Sequence, residues 1–142
     1  MENYIELALR TDPTEEQYEI IACRNEQPQM MRLEHSLMGV VTEAGELMDQ
    51  LKKHIVYGKE LDLVNLAEEF GDVFWYMALG IDALAQLMGR DDPDQLESEI
   101  KNTNIDKLRQ RYPEKFCEIK AVDRNTTQER EILNNITGEQ NG

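Results

Sequence analysis

The chain has 142 residues, the size of a single domain with one hydrophobic core, so we expect one domain rather than several. Its formal net charge of −14 disfavours a nucleic-acid backbone or an anionic membrane as the main partner, because both would be repelled. The N-terminal residues contain neither a basic segment nor a continuous apolar run. We therefore predict no signal peptide, no membrane-spanning helix and a cytoplasmic location.

The first predicted elements are a short helix and a long one. Asp12-Pro13-Thr14-Glu15 places an N-cap acceptor, a proline and an acidic residue in order, which predicts a helix through about Cys23. Apolar residues at helical spacing then predict a long amphipathic helix from about Gln29 to Val56, ended by Gly58. Its apolar positions are Met30, Leu33, Leu37, Val40, Val41, Ala44, Leu47, Met48, Leu51 and Ile55.

A second long helix is predicted from about Asp62 to Met88, with Gly89 as a left-handed cap. Asp92 and Pro93 repeat the first start signal and open a third helix that runs to about Arg111, before Tyr112-Pro113. Thr126 and Glu129 have the spacing of a capping box, which predicts a short last helix over about 126–136 and a frayed tail at 137–142. Because no segment alternates apolar and polar residues, the predicted fold class is all-α.

Two pairs of carboxylates lie on the two long predicted helices. Glu43 and Glu46 are three residues apart, and so are Glu69 and Asp72, so each pair can present two carboxylates to one side. The helical period also favours Glu69 over Glu68 as the inward residue. If the pairs converge, they need a compensating cation, and oxygen ligands suit Mg²⁺ or Mn²⁺. On the residues alone, a solvated acidic helix face is the competing interpretation.

Three sequence blocks in combination closely resemble the MazG-like all-α nucleoside triphosphate pyrophosphatases. They are the segment from His35 to Leu47, the segment from Glu68 to Tyr76, and Asn104-Ile-Asp-Lys107-Leu-Arg-Gln-Arg111-Tyr-Pro. The family signature is ExxE, a spacer and ExxD, and here the spacer between Glu46 and Glu69 runs from residue 47 to residue 68. The resemblance spans roughly residues 33 to 116, within a predicted domain core of about 28–116.

This resemblance implies a helical bundle built on two long antiparallel helices, with a third helix and shorter flanking helices, that assembles into homodimers or homotetramers. It implies that Mg²⁺ is bound by the four motif carboxylates and that a nucleoside or deoxynucleoside triphosphate is hydrolysed to the monophosphate and pyrophosphate. The implied metal ligands are Glu43, Glu46, Glu69 and Asp72. Glu46 is also our choice for the catalytic base, because it lies furthest from the apolar stripe of its helix.

Further polar and aromatic residues are candidates for substrate binding, each with an ordinary structural alternative at a helix surface. Cationic side chains can compensate the negative charge of the phosphates. An amide or imidazole can hydrogen-bond to the sugar or base, and an aromatic ring can stack on the base. Trp75, which falls opposite the apolar stripe, indicates either a subunit interface or a stacked base. The predicted substrate residues are His35, Lys53, Tyr76, Asn104, Lys107 and Arg111.

Two alternatives remain at this point. The first is a phosphoribosyl-ATP pyrophosphatase-like hydrolase, a related helical enzyme with a similar carboxylate scheme. The second is a non-catalytic acidic helical protein, in which the carboxylate pairs are solvated and the second apolar face binds a partner. Release of pyrophosphate in the presence of a divalent metal would separate the enzymes from the interaction protein.

Overall fold

The computed structural model of the chain describes residues 4–136, and the predicted tail at 137–142 lies outside this range. Within the described residues every regular element is a helix and no strand occurs, which confirms the predicted all-α class. No helix in this part of the chain combines the length and the apolar character needed to cross a bilayer. The helices are α1 (Tyr4–Leu9), α2 (Glu15–Arg24), α3 (Pro28–Ile55), α4 (Leu63–Leu87), α5 (Pro93–Arg111), α6 (Glu118–Val122) and α7 (Thr126–Leu133), followed by a 3₁₀ helix (Asn134–Ile136).

Residue contacts group the chain into two compact units, Met1–Tyr76 and Met77–Gly142. The first unit contains α1, α2, α3 and the first part of α4. The second unit contains the rest of α4 and the helices that follow it. The single-domain organisation and the full bundle arrangement therefore stay predictions.

In the first unit, the start of α2 differs from the prediction. Thr14, not Asp12, is the N-cap residue: its hydroxyl accepts from the Gln17 backbone N–H at 3.3 Å, and the Gln17 side chain accepts from the Thr14 N–H at 2.8 Å. The Asp12 carboxylate instead accepts a 2.6 Å hydrogen bond from the Tyr18 hydroxyl. The capping box thus forms between Thr14 and Gln17, two residues later than the predicted one between Asp12 and Glu15, and it satisfies two backbone donors.

The two long helices begin and end within about one residue of their predicted limits, and the turn between them positions the carboxylate pairs. Gly58 has a φ of +65°, a conformation that favours glycine, and its N–H donates to the His54 carbonyl at 3.1 Å. Asp62 then accepts from the backbone N–H groups of Val64 and Asn65 and so caps α4. The sharp turn brings the first part of α4 back along α3.

In the second unit, the most completely buried apolar side chains are Ala83, Ala85 and Leu96. Gly89 adopts the predicted left-handed conformation with a φ of +66°. Asp92 caps α5 as predicted, since its carboxylate accepts from the Gln95 N–H at 2.8 Å. The third predicted helix therefore has the predicted start and end.

The C-terminal helix has a different cap from the predicted one. Asn125 is the N-cap residue and accepts from the Gln128 N–H at 3.1 Å. Glu129 is buried and forms ion pairs with Arg111 and Arg124, so it does not complete a capping box with Thr126. The pairing between Glu129 and Arg111 holds α7 against α5, which local sequence signals do not reveal.

Candidate metal centre

Glu69 on α4 is the most buried acidic residue of the first unit's carboxylate pairs, with only 6% of its surface exposed. Its Oε1 accepts a 2.7 Å hydrogen bond from the side-chain amide of Asn65, one helical turn earlier. The Gln50 side-chain amide on α3 donates in turn to the Asn65 side-chain oxygen. A carboxylate removed from water needs compensating hydrogen bonds or a cation. Glu69 has such a hydrogen bond, from Asn65.

Three carboxylates converge around Glu69. Oxygen atoms of Glu43, Glu69 and Asp72 all lie within 4.8 Å of one another. Glu43 comes from α3, and the other two lie one turn apart on α4. Because like charges repel at this separation, the arrangement is favourable when a cation lies among the oxygens.

The electrostatics of Glu43 reflect this crowding. Its pKa is raised, first by partial removal from water and then by the negative charges of Glu46, Asp72 and Glu69, while a hydrogen bond from Thr42 acts in the opposite direction. A set of three carboxylates from two helices provides the hard oxygen ligands that Mg²⁺ and Mn²⁺ prefer. The residues present therefore fit a divalent metal ion.

An aromatic group lies one turn after Asp72. The Tyr76 ring packs at 5.6 Å from His35 and at 4.8 Å from Trp75, edge to face in both cases. The backbone carbonyl of Tyr76 accepts a 2.7 Å hydrogen bond from the Ser36 hydroxyl. A Cβ atom at Gly39 would lie 2.1 Å from the Tyr76 ring, so the close approach of the ring to α3 requires glycine there.

A family model of the MazG nucleotide pyrophosphohydrolase domain matches residues 31–116, more than half of the chain. The chain belongs to the MazG nucleotide pyrophosphohydrolase family. No curated protein and no solved structure gives a significant match to it. The resemblance inferred from the sequence is thus confirmed, and the MazG match contains all four motif carboxylates and the aromatic group.

Glu46 occupies a different position from the other three MazG motif carboxylates. It is exposed and lies outside the set of oxygens that meet within 4.8 Å. Its charge is nevertheless the second cause of the raised pKa of Glu43, after removal from water, so it lies near the cluster. Its roles as fourth metal ligand and as base stay predictions.

Lys53 lies on α3, two turns after Glu46. Its Nζ forms a 2.7 Å ion pair with Asp49, and this hydrogen bond and charge raise the pKa of Lys53, with a smaller effect from Glu46. An exposed i,i+4 pair of this kind is weak and exchanges readily with water. The ammonium group therefore sits at the edge of the acidic region, and its role toward phosphate stays a prediction.

Asn104, Lys107 and Arg111 lie on α5 in the second unit of the MazG chain. Asn104 is exposed and Lys107 is half-buried. Arg111 forms a two-point pair with Glu129, through Nε at 2.8 Å and Nη2 at 2.6 Å, and the charge and hydrogen bonds raise the pKa of Arg111. Their predicted contacts with substrate stay predictions.

Gln50 and Asn65 are parts of the site that were not predicted from the sequence. Asn65 stands four residues before Glu69, a spacing at which amide and carboxylate side chains pair on a helix, so it could have been found. Gln50 has no such signal, because its contact joins two helices across 15 residues of chain. Only the packing of α3 against α4 reveals it.

Proposed function

We propose that this MazG-family protein hydrolyses a nucleoside or deoxynucleoside triphosphate to the monophosphate and pyrophosphate, with Mg²⁺ as cofactor and Mn²⁺ as a working substitute. The observation that carries the proposal is the convergence of Glu43, Glu69 and Asp72 within 4.8 Å, inside the range matched by the family. A solvated acidic face would keep these like charges apart, because separation lowers their repulsion.

Glu43, Glu69 and Asp72 hold the metal ion in this proposal, and Glu46 joins them as the fourth carboxylate. When bound, Mg²⁺ supplies positive charge against the phosphates and makes water a better nucleophile at neutral pH. The protein contributes the fixed positions of its carboxylates on two packed helices. Glu69 is the most constrained of them, since it is buried and hydrogen-bonded.

Glu46 acts as the general base. Its side chain is exposed, so one of its oxygens can be reached by a water molecule and accepts the proton as that water attacks the α-phosphorus. The bond between the α-phosphorus and the bridging oxygen breaks, and pyrophosphate leaves with that oxygen. The charge of the phosphates is compensated by the cations that the resemblance to the family indicates, Lys53, Lys107 and Arg111.

The nucleoside is recognised by the aromatic group and by a side-chain amide. Tyr76 offers a ring for stacking one turn after Asp72, and His35 packs on that ring and offers a polar edge to the base or ribose. Asn104 contributes a hydrogen bond to the sugar, the base or a phosphate. Fixing the ring against Gly39 limits the ways in which a base fits beside it.

We also propose that the protein functions as a homodimer or homotetramer. Val41 on α3 and Phe74 on α4 are 71% and 69% exposed, and Leu37, Met48 and Phe70 on the same two helices are also exposed. Large apolar side chains repeated along two neighbouring helices are costly to leave in water. A second copy of the chain covers such a surface in symmetric oligomers.

The test of the activity is product analysis with a panel of nucleotides. The purified protein is incubated with common ribonucleoside and deoxyribonucleoside triphosphates and with phosphoribosyl-ATP, in Mg²⁺ or in excess EDTA. We expect equimolar monophosphate and pyrophosphate from at least one triphosphate, only with the metal. Release of diphosphate and phosphate, turnover in EDTA, or turnover of phosphoribosyl-ATP alone would contradict the proposal.

A further inference from the structure

We propose that Gln50 and Asn65 are positioning residues for metal binding, through a two-step amide relay that fixes the orientation of Glu69. This inference rests on the proposed metal site and adds two residues to it. The relay runs from the Gln50 amide to the Asn65 side-chain oxygen, and from the Asn65 amide to Glu69 Oε1 at 2.7 Å. Gln50 and Asn65 are both half-buried.

The relay has only one hydrogen-bonding direction. The Asn65 side-chain nitrogen donates to Glu69 Oε1, so the Asn65 side chain turns its N–H toward Glu69. That orientation places the Asn65 oxygen toward α3, where only a donor can meet it. Gln50 supplies this donor, and it thereby selects the Asn65 orientation that Glu69 needs.

Fixing Asn65 also fixes the carboxylate of Glu69. A carboxylate group on a flexible side chain rotates freely in water, and ordering it costs conformational entropy when a metal binds. Because Glu69 is 6% exposed, solvent does little to hold it, and the Asn65 hydrogen bond sets where both of its oxygens lie. Outer partners of this kind change metal affinity by about 10–100-fold when they are removed.

The relay also joins the two helices that provide the metal ligands. Gln50 lies on α3, two turns after Glu43, and Asn65 lies on α4, one turn before Glu69. Ser36 and Tyr76 form a second hydrogen bond between the same helices, at 2.7 Å. The carboxylates lie between these two interhelical hydrogen bonds along the helix pair. Loss of the relay therefore removes the contact at one end of the site, while the Ser36–Tyr76 hydrogen bond at the other end remains.

Two variants interrupt the relay at different points. Asn65→Leu removes the donor to Glu69 and keeps the number and branching of the side-chain heavy atoms. Gln50→Glu keeps the shape but replaces the donor with an acceptor, so it opposes the required Asn65 orientation. Gln86→Glu, which makes the same chemical change at an exposed position later on α4 and removes only a local hydrogen bond to Asp82, is the matched control.

The readout is binding of Mn²⁺, measured by electron paramagnetic resonance of the free ion on proteins whose folding is checked by circular dichroism. We expect the Mn²⁺ dissociation constant to rise about 10–100-fold in Asn65→Leu and to rise less in Gln50→Glu, with Gln86→Glu unchanged. Hydrolysis in these variants should recover at higher metal concentration, because the ligands themselves remain.

The outcomes separate the relay from the metal site on which it rests. If the unsubstituted protein and Glu69→Gln bind Mn²⁺ equally, or neither binds it, the metal site is wrong and the relay has no role. If Glu69→Gln loses binding while both folded relay variants keep the original affinity, the site stands and the relay inference is overturned. Should Asn65→Leu fail to fold, Gln50→Glu alone decides between these results.

Discussion

The Ser36 hydroxyl donates a 2.7 Å hydrogen bond to the Tyr76 backbone carbonyl and ties α3 to α4 where the Tyr76 ring meets Gly39. The contact leaves no room for a side chain on α3, since a Cβ at Gly39 would approach the ring to 2.1 Å. A bulky aromatic ring and a glycine therefore form one packing unit beside the carboxylates. Alanine substitution at Gly39, compared with the same substitution at Gly45 on the same helix, tests this packing.

Gly39→Ala should destabilise the protein by about 1–3 kcal/mol, because the ring or the helix must shift to admit the methyl group. Gly45→Ala on the same helix is the control: a Cβ there would meet no heavy atom within 4 Å among residues 4–136. Alanine at that position should stabilise the helix by about 0.5–1 kcal/mol. Urea unfolding measures both changes, and equal stability of the two variants would refute the assignment of close packing to Gly39.

Glu129 should make the stability of the protein sensitive to acid. Hydrogen bonds from Arg111 and then Arg124 lower the pKa of Glu129 from an ordinary 4.5 to about 2. Since the folded-state pKa lies below the unfolded value, this carboxylate stabilises the fold above pH 4.5, and that contribution is lost as the pH falls toward 2.

The predicted loss of stability in acid is tested by thermal unfolding between pH 6 and pH 2, limits that span roughly the titration range of Glu129. The melting temperature of Glu129→Gln should be lower at neutral pH and should fall less on acidification than that of the unsubstituted protein. Glu131→Gln removes an exposed carboxylate from the same helix and should leave the profile unchanged. Parallel profiles for the protein with and without Glu129 would contradict the account.

Glu43→Gln should stabilise the metal-free protein while it impairs metal binding. The pKa of Glu43 is raised by partial removal from water and by three neighbouring carboxylates, so its ionised form is unfavourable in the folded state without a cation. This opposes stability as the pH rises through the folded-state pKa, and glutamine removes the effect. The melting temperature in EDTA should rise and Mg²⁺ should no longer increase it. A lower melting temperature in EDTA would show that the cluster is not strained without metal.

The exposed apolar side chains of α3 and α4 predict that a charge introduced among them weakens self-association. Val41→Glu or Phe74→Glu should weaken self-association by at least about tenfold, because each places a charge on the surface that we propose a second copy covers. Light scattering coupled to size exclusion measures the mass, and Gln86→Glu, at an exposed polar position, is the control. A monomeric unsubstituted protein, or an unchanged mass in both variants, would contradict the proposed oligomer.

The sequence predicts the two long helices and their limits because each depends on residue spacing along one helix. The same spacing predicts that Glu69, rather than Glu68, faces inward. The structure buries Glu69 and leaves Glu68 exposed. The relay through Gln50 could not be predicted, because it depends on how two helices pack. Glu129 was predicted as a capping residue because local spacing allows it, whereas its pairing with Arg111, 18 residues earlier in the chain, prevails in the fold. The helices α1 and α6 are too short, at six and five residues, to show a helical period.

The role of Glu69 in the metal centre is tested most sharply against its neighbour Glu68 on α4. Glu69→Gln and Glu68→Gln make the same chemical change at adjacent positions, one buried among the converging oxygens and one exposed. Pyrophosphate release from the best triphosphate is measured across a range of Mg²⁺ concentrations. We expect at least roughly a hundredfold loss for Glu69→Gln and near-normal activity for Glu68→Gln. Full activity in Glu69→Gln, or equal losses in both variants, would contradict this role.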